Sequence, residues 1–153
     1  MRIPKIYFDT SVFGGIYDIE FQKETEKLFE MVRNRELICV YSDLCELELE
    51  NASEKVKQHF LNLDNRSTEF LEITKEIDEL AQEYIAEKVV GQTSIDDCRH
   101  IACATINKVD HLVSWNFKHI VNVFRIRGYN AINIKNGYVQ LDIRSPKDII
   151  QNE

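Results

Sequence analysis

The sequence predicts an α/β domain with a mostly parallel central sheet and helices on both faces. Short β-rich apolar runs alternate with longer stretches of helical periodicity, an order that implies strand–helix–strand crossovers. No Pro/Gly-rich linker, internal repeat or low-complexity tract interrupts the chain, and its two prolines, Pro4 and Pro146, lie near the ends. A length of 153 residues suits one domain, so residues 1–153 are expected to form a single unit.

Ile6–Phe8 reads as the first strand and is followed at once by Asp9, Thr10, Ser11 and two glycines. Residues 22–33 read as an amphipathic helix, because Phe21, Thr25, Leu28 and Val32 recur at helical spacing. The segment ELICVYS (36–42) is β-rich and bounded by polar residues. Ser42 or Asp43 can cap the helix expected over 43–51, and a second short helix is expected over 53–62. Over 73–89, Ile73, Ile77, Leu80, Ala81, Tyr84, Ile85 and Val89 form one apolar stripe, with Gly91 expected to stop the helix. Another helix starts near Ser94, placing Asp96 and Asp97 in a first turn that favours carboxylates. HLVS (111–114) reads as a strand, and NAINIKNGY (130–138) is expected to contain the last one.

The net charge of −7 argues against a broad basic nucleic-acid surface. The charge is uneven: residues 1–98 carry 11 basic and 22 acidic groups, and residues 99–153 carry 8 and 4, a net +4 that allows a local phosphate-binding patch. Cys39, Cys45, Cys98 and Cys103 form no C-x-x-C pair and read as buried reduced thiols. Cys103 with His100 would supply only half of a zinc set. No run is apolar enough for a membrane span and no charged-then-apolar leader is present, so a cytoplasmic protein is expected.

Several carboxylates fall where the fold should place a ligand, outside the carboxyl ends of parallel strands. Asp9 follows a strand directly; alone it reads equally as a cap. Glu48 shares a helix face with Leu44 and Asn51, whereas Glu46 and Glu50 look like solvent-side charges. Asp97 is turned toward the packed face by Ile101 four residues later, leaving Asp96 the better candidate for plain capping. In LVSWN, Ser114 and Asn116 repeat the pattern of oxygen-bearing side chains at a strand exit, although a turn or cap role explains Asn116 as well. Acids gathered at one sheet edge repel one another unless a cation sits among them, and a hard ion such as Mg2+ selects oxygen ligands while keeping several waters.

With YFDTS, YSDLCELE, DDCRHIACA and LVSWNF in this order, and separations of 39, 49 and 19 residues between Asp9, Glu48, Asp97 and Asn116, the chain resembles the PIN-domain family, which includes VapC-like ribonuclease toxins. The resemblance covers nearly the whole chain. It implies a Rossmann-like three-layer α/β/α PIN-type domain whose acidic pocket binds Mg2+ or Mn2+ and cleaves single-stranded RNA. Asp9, Glu48, Asp97 and Asn116 would be the metal-site residues, Ser114 the ordering hydroxyl, and Asp96, Thr10 and Ser11 further metal or capping groups. Asn116 stands where the family often has a fourth Asp, and Asn keeps an oxygen while losing a charge.

Lys118, His119, Arg125 and Arg127 are candidates for the RNA backbone, and Trp115 for stacking on a base. Phe13 and His100 read as packing residues. A cognate antitoxin and a homodimer are the partners the resemblance implies, and the stripes of 22–33 and 73–89 offer surface for a dimer while also being needed for the domain core. A binding module with an impaired metal site is the alternative. A phosphatase of the haloacid dehalogenase type would want a second Asp where this chain has Ser11.

Overall fold

Five parallel strands in the order β3-β2-β1-β4-β5 form the sheet of the computed structural model, which describes residues 2–150. Met1 and residues 151–153 of the expected 1–153 unit lie outside the described residues. β1 (Lys5–Phe8) is central, pairing with β2 (Ile38–Ser42) on one side and β4 (His111–Val113) on the other. β3 (Thr68–Leu71) and β5 (Ile143–Arg144) are the edges. Tyr7, Phe8, Val40 and Leu112 are fully buried, as expected of parallel strands covered on both faces.

The helices fall into two packed groups. One comprises α1 (Thr10–Gly15), α2 (Gln22–Arg33), α3 (Asp43–Leu49), α4 (Glu54–Leu61) and α8 (Pro146–Ile150). The other comprises α5 (Lys75–Ala86), α6 (Ile95–Ile106) and α7 (Val123–Lys135). Thr25, Leu28 and Val32 of α2 and Ile77, Leu80, Ala81 and Tyr84 of α5 are buried within this domain. Of the two uses open to these stripes, the core takes up these residues. Among the described residues, no helix is long and apolar enough to cross a membrane.

Three expectations are corrected. The strand expected within 130–138 is the second half of α7, which Asn122 caps by accepting from the backbone N–H groups of Phe124 and Arg125. The alternation in Ala131-Ile132-Asn133-Ile134 imitates a strand, but Tyr129, Ile132 and Asn133 are buried together at helical spacing. Helix α5 stops at Ala86, well before Gly91, because the chain turns through a left-handed Lys88 (φ 63°). β3, β5, α1 and α8 are all shorter than seven residues, and none was expected.

Gly15 closes α1 against Trp115, where an added Cβ would lie 2.6 Å from Thr25 Oγ1 and 2.8 Å from Trp115 Nε1. Gly14 has open space around its Cα. Gly15→Ala is therefore expected to lower unfolding stability by about 1–3 kcal/mol, whereas Gly14→Ala leaves it unchanged or raises it by up to about 1 kcal/mol. Urea unfolding of the two variants checks the contrast.

Candidate active site at the strand crossover

The strand order reverses at β1, so a crevice opens where the carboxyl ends of β1 and β4 part, the place where open α/β sheets bind ligands. The register sets Phe8 beside Val113, and the next residues, Asp9 and Ser114, meet across the gap. Ser114 donates from Oγ to Asp9 Oδ2 at 2.9 Å. Ser11 donates to Asp9 Oδ1 at 2.6 Å and accepts from the backbone N–H of Trp115 at 2.9 Å. Asp9 occupies the cap position of α1 but makes no side-chain capping bond, so its carboxylate is free of that duty.

Asp9 is 4% exposed. Burial pushes its pKa up to about 6, with the Asp97 charge adding to the rise and His100, Ser11 and Ser114 opposing it. Asp97, in the first turn of α6, is raised too, chiefly by burial and then by Glu48 and Asp96. Glu48 behaves differently. Burial would raise its pKa, but hydrogen bonding to His100, the His100 charge and the Thr10 hydroxyl outweigh it and hold Glu48 below the usual range. Thr10 donates to Glu48 Oε1 at 2.6 Å, and His100 Nε2 lies 2.6 Å from the same oxygen.

These contacts bring Asp9, Thr10, Ser11, Glu48, Asp97, Ser114 and Asn116 into one polar cluster. Asn116 takes the turn role: its Oδ1 accepts from the backbone N–H groups of Lys118 and His119, while Nδ2 faces Asp97 Oδ2 at 3.4 Å. It holds the turn and steadies Asp97. Asp96 sits in the first turn of α6 as expected of a capping acid, and its carboxylate pairs with Arg99 at 2.8 Å. Trp115 is 7% exposed and stacked on Phe21 at 4.2 Å, which makes it a core ring and not a base-stacking one.

Among the described residues, no group of three or more His, Cys, Asp or Glu side chains is ready to hold a metal ion. Mg2+ seldom needs such a cage; one or two carboxylates, waters and substrate phosphate are its usual partners. Buried Asp9 and half-buried Asp97, whose charge raises the Asp9 pKa, fit that chemistry. Both nitrogens of His100 are engaged, which closes the zinc option with Cys103.

No family model matches the sequence, and no curated protein matches it. Solved structures do match. VapC20 of Mycobacterium tuberculosis, a Sarcin-Ricin loop cleaving toxin, is similar with a TM-score of 0.57 at 13% identity, over 90% of this chain and 98% of that one. VapBC2 from Rickettsia felis, bound to a DNA fragment from its promoter, gives 0.55 at 14% identity over 92% and 98%. A toxin–antitoxin complex from Klebsiella pneumoniae gives 0.55 at 16% identity over 74% and 88%. The chain shares the fold of these proteins, the PIN-domain fold.

On this PIN fold the basic candidates divide. Lys118 is exposed on the turn held by Asn116, and Arg127 is exposed on α7. Arg125 is half-buried and donates to the Val89 carbonyl at 2.5 Å, so part of its guanidinium ties two segments together. His119 is half-buried, its Nδ1 has no partner, and burial followed by Lys118 and Arg125 lowers its pKa. Residue-by-residue reading missed His100, Tyr7 and Cys45, which line the inner wall of the site. One signal was present: His100 lies three residues after Asp97 and therefore on the same face of α6.

Because the folded protein binds the Asp9 proton more tightly than the unfolded chain, ionising this carboxyl works against folding. Stability is lost as pH rises from about 4 to about 6, and the cost, on the order of 3 kcal/mol, is fully present above that window. Asp9→Asn is therefore expected to raise stability at pH 7–8 in EDTA, with the gain shrinking toward pH 4. Paired urea titrations across that range check it; a pH-independent difference would contradict the assignment.

Proposed function

We propose that this chain is a divalent-metal-dependent ribonuclease acting on single-stranded RNA, the toxin half of a toxin–antitoxin pair. The observation that carries the reading is the hydrogen-bonded run from Asp9 through Ser114 and Asn116 to Asp97 at the crossover crevice, with the pKa of both acids raised. The PIN fold shared with VapC20, described as cleaving the Sarcin-Ricin loop, supports the same conclusion, as do the toxin–antitoxin complexes for an antitoxin partner. Four reduced cysteines suit a cytoplasmic setting.

Asp9 and Asp97 would hold Mg2+ or Mn2+, with Glu48 beside them. When bound, such an ion polarises a phosphoryl oxygen and lowers the pKa of a bound water. The remaining work belongs to the chain. Ser11 and Ser114 fix both oxygens of Asp9, Asn116 steadies Asp97, and Glu48, whose Oε2 has no protein partner among the described residues, orients the attacking water. Lys118 and Arg127 face solvent and would meet phosphates.

A second reading, a PIN-like module that binds RNA or protein without cleaving, is favoured by one observation: Asn116 presents an amide N–H, not an oxygen, to Asp97. Purified protein is expected to cleave single-stranded RNA only with Mg2+ or Mn2+. Asp9→Ala and Asp97→Ala should each lower the rate by at least about 100-fold, exceeding losses typical of residues that merely support a metal ligand. Equal cleavage by wild type and both variants would defeat the nuclease reading; RNA binding without cleavage would establish the second.

A further inference from the structure

We infer that His100 is a positioning residue for Glu48, a buried link that fixes where this carboxylate stands in the site. The inference rests on the nuclease reading above. His100 is 2% exposed, yet neither ring nitrogen is idle. Nδ1 lies 2.7 Å from Tyr7 Oη, and Nε2 lies 2.6 Å from Glu48 Oε1. A ring buried this deeply, with both nitrogens engaged, cannot reach an RNA phosphate or serve as a base toward solvent. What it can do is hold its partners.

The chain of bonds continues beyond the ring. Tyr7 Oη is 2.7 Å from Ser42 Oγ, and Ser42 caps α3 by accepting from the Cys45 N–H at 3.4 Å. Ser42 starts the helix that carries Glu48, so the backbone and the side chain of Glu48 are fastened to one network through different ends. Tyr7 belongs to β1, Ser42 to β2 and His100 to α6, so three elements of the core fix one carboxylate. A glutamate on a free helix surface samples several rotamers, and ordering it costs up to about 2 kcal/mol of side-chain entropy. Here that ordering is done by the fold before substrate arrives. Thr10, adjacent to Asp9, completes the clamp on Oε1.

The test is a double-mutant cycle with two readouts: kcat and KM for Mn2+-dependent cleavage of a single-stranded RNA oligonucleotide, and Mn2+ affinity by calorimetry. His100→Ala is expected to lower kcat by about 10–100-fold while KM for RNA stays within about twofold. Glu48→Gln should lower kcat at least as far, and the double variant should fall no more than about twofold below Glu48→Gln, because both substitutions remove one function. His100→Gln, which can present an amide N–H to Oε1, should restore most of the loss. The Mn2+ dissociation constant should shift by a similar factor in His100→Ala and Glu48→Gln without compounding.

If His100→Ala does not fold, Tyr7→Phe replaces it in the cycle, with a smaller loss that again does not compound. Losses that multiply, or a kcat unmoved by either substitution, overturn the inference. Wild-type protein that binds Mn2+ and cleaves nothing overturns the nuclease reading instead, and the affinity cycle alone then decides the link between His100 and Glu48.

Discussion

A nearly buried carboxylate at the point where two parallel strands part is the constraint on which this site depends. An ionised group moved out of water is unfavourable unless hydrogen-bonded or charge-paired. Asp9 receives two hydroxyl bonds, one from Ser114 across the crevice and one from Ser11 in its own following helix. Those bonds fix its direction without cancelling its charge. The proposed cation would answer the charge that remains, and the β1–β4 register is what puts Asp9 at the crevice.

The neighbouring acids are treated in opposite ways by the same pocket. Asp9 and Asp97 are pushed up, first by burial and then by other negative charges, whereas Glu48 is pulled down by a histidine that reaches it from inside the core. Burial alone would push the His100 imidazole down, yet it is held well above its ordinary value, with the Glu48 hydrogen bond and the Asp9 charge among the causes. Carboxyl groups whose environments drive them apart are suited to different tasks. Here Glu48 has the histidine as a hydrogen-bonded partner, whereas Asp9 and Asp97 feel its charge only through space and stay raised.

The parallel sheet was legible because its central strands are continuous apolar runs, and the site acids were legible because they stand where such runs end. The edge strands were not: β5 is two residues long, and β3 is only partly buried, so neither carries a periodic signal. Asn130–Tyr138 misled because over four residues a helix with two buried positions and a strand share the same alternation. Glu48 was visible as a carboxylate on a half-apolar face, but its partner was hidden. His100 looks like packing from its own helix, and only the tertiary approach of α3 to α6 reveals that its nitrogens are used.

Asn116 removes a repulsion that a fourth acid would bring to this cluster. A carboxylate in its place would stand about as far from Asp97 Oδ2 as the amide nitrogen does, at 3.4 Å. Two unit charges at such a separation repel by about 5 kcal/mol near a protein surface. The amide replaces that repulsion with a weak hydrogen bond, and its Oδ1 secures the turn that carries Lys118. The exchange lowers the negative charge beside Asp97 while holding that carboxylate in place, and a cation at the proposed site would meet a less negative cluster than four acids would make.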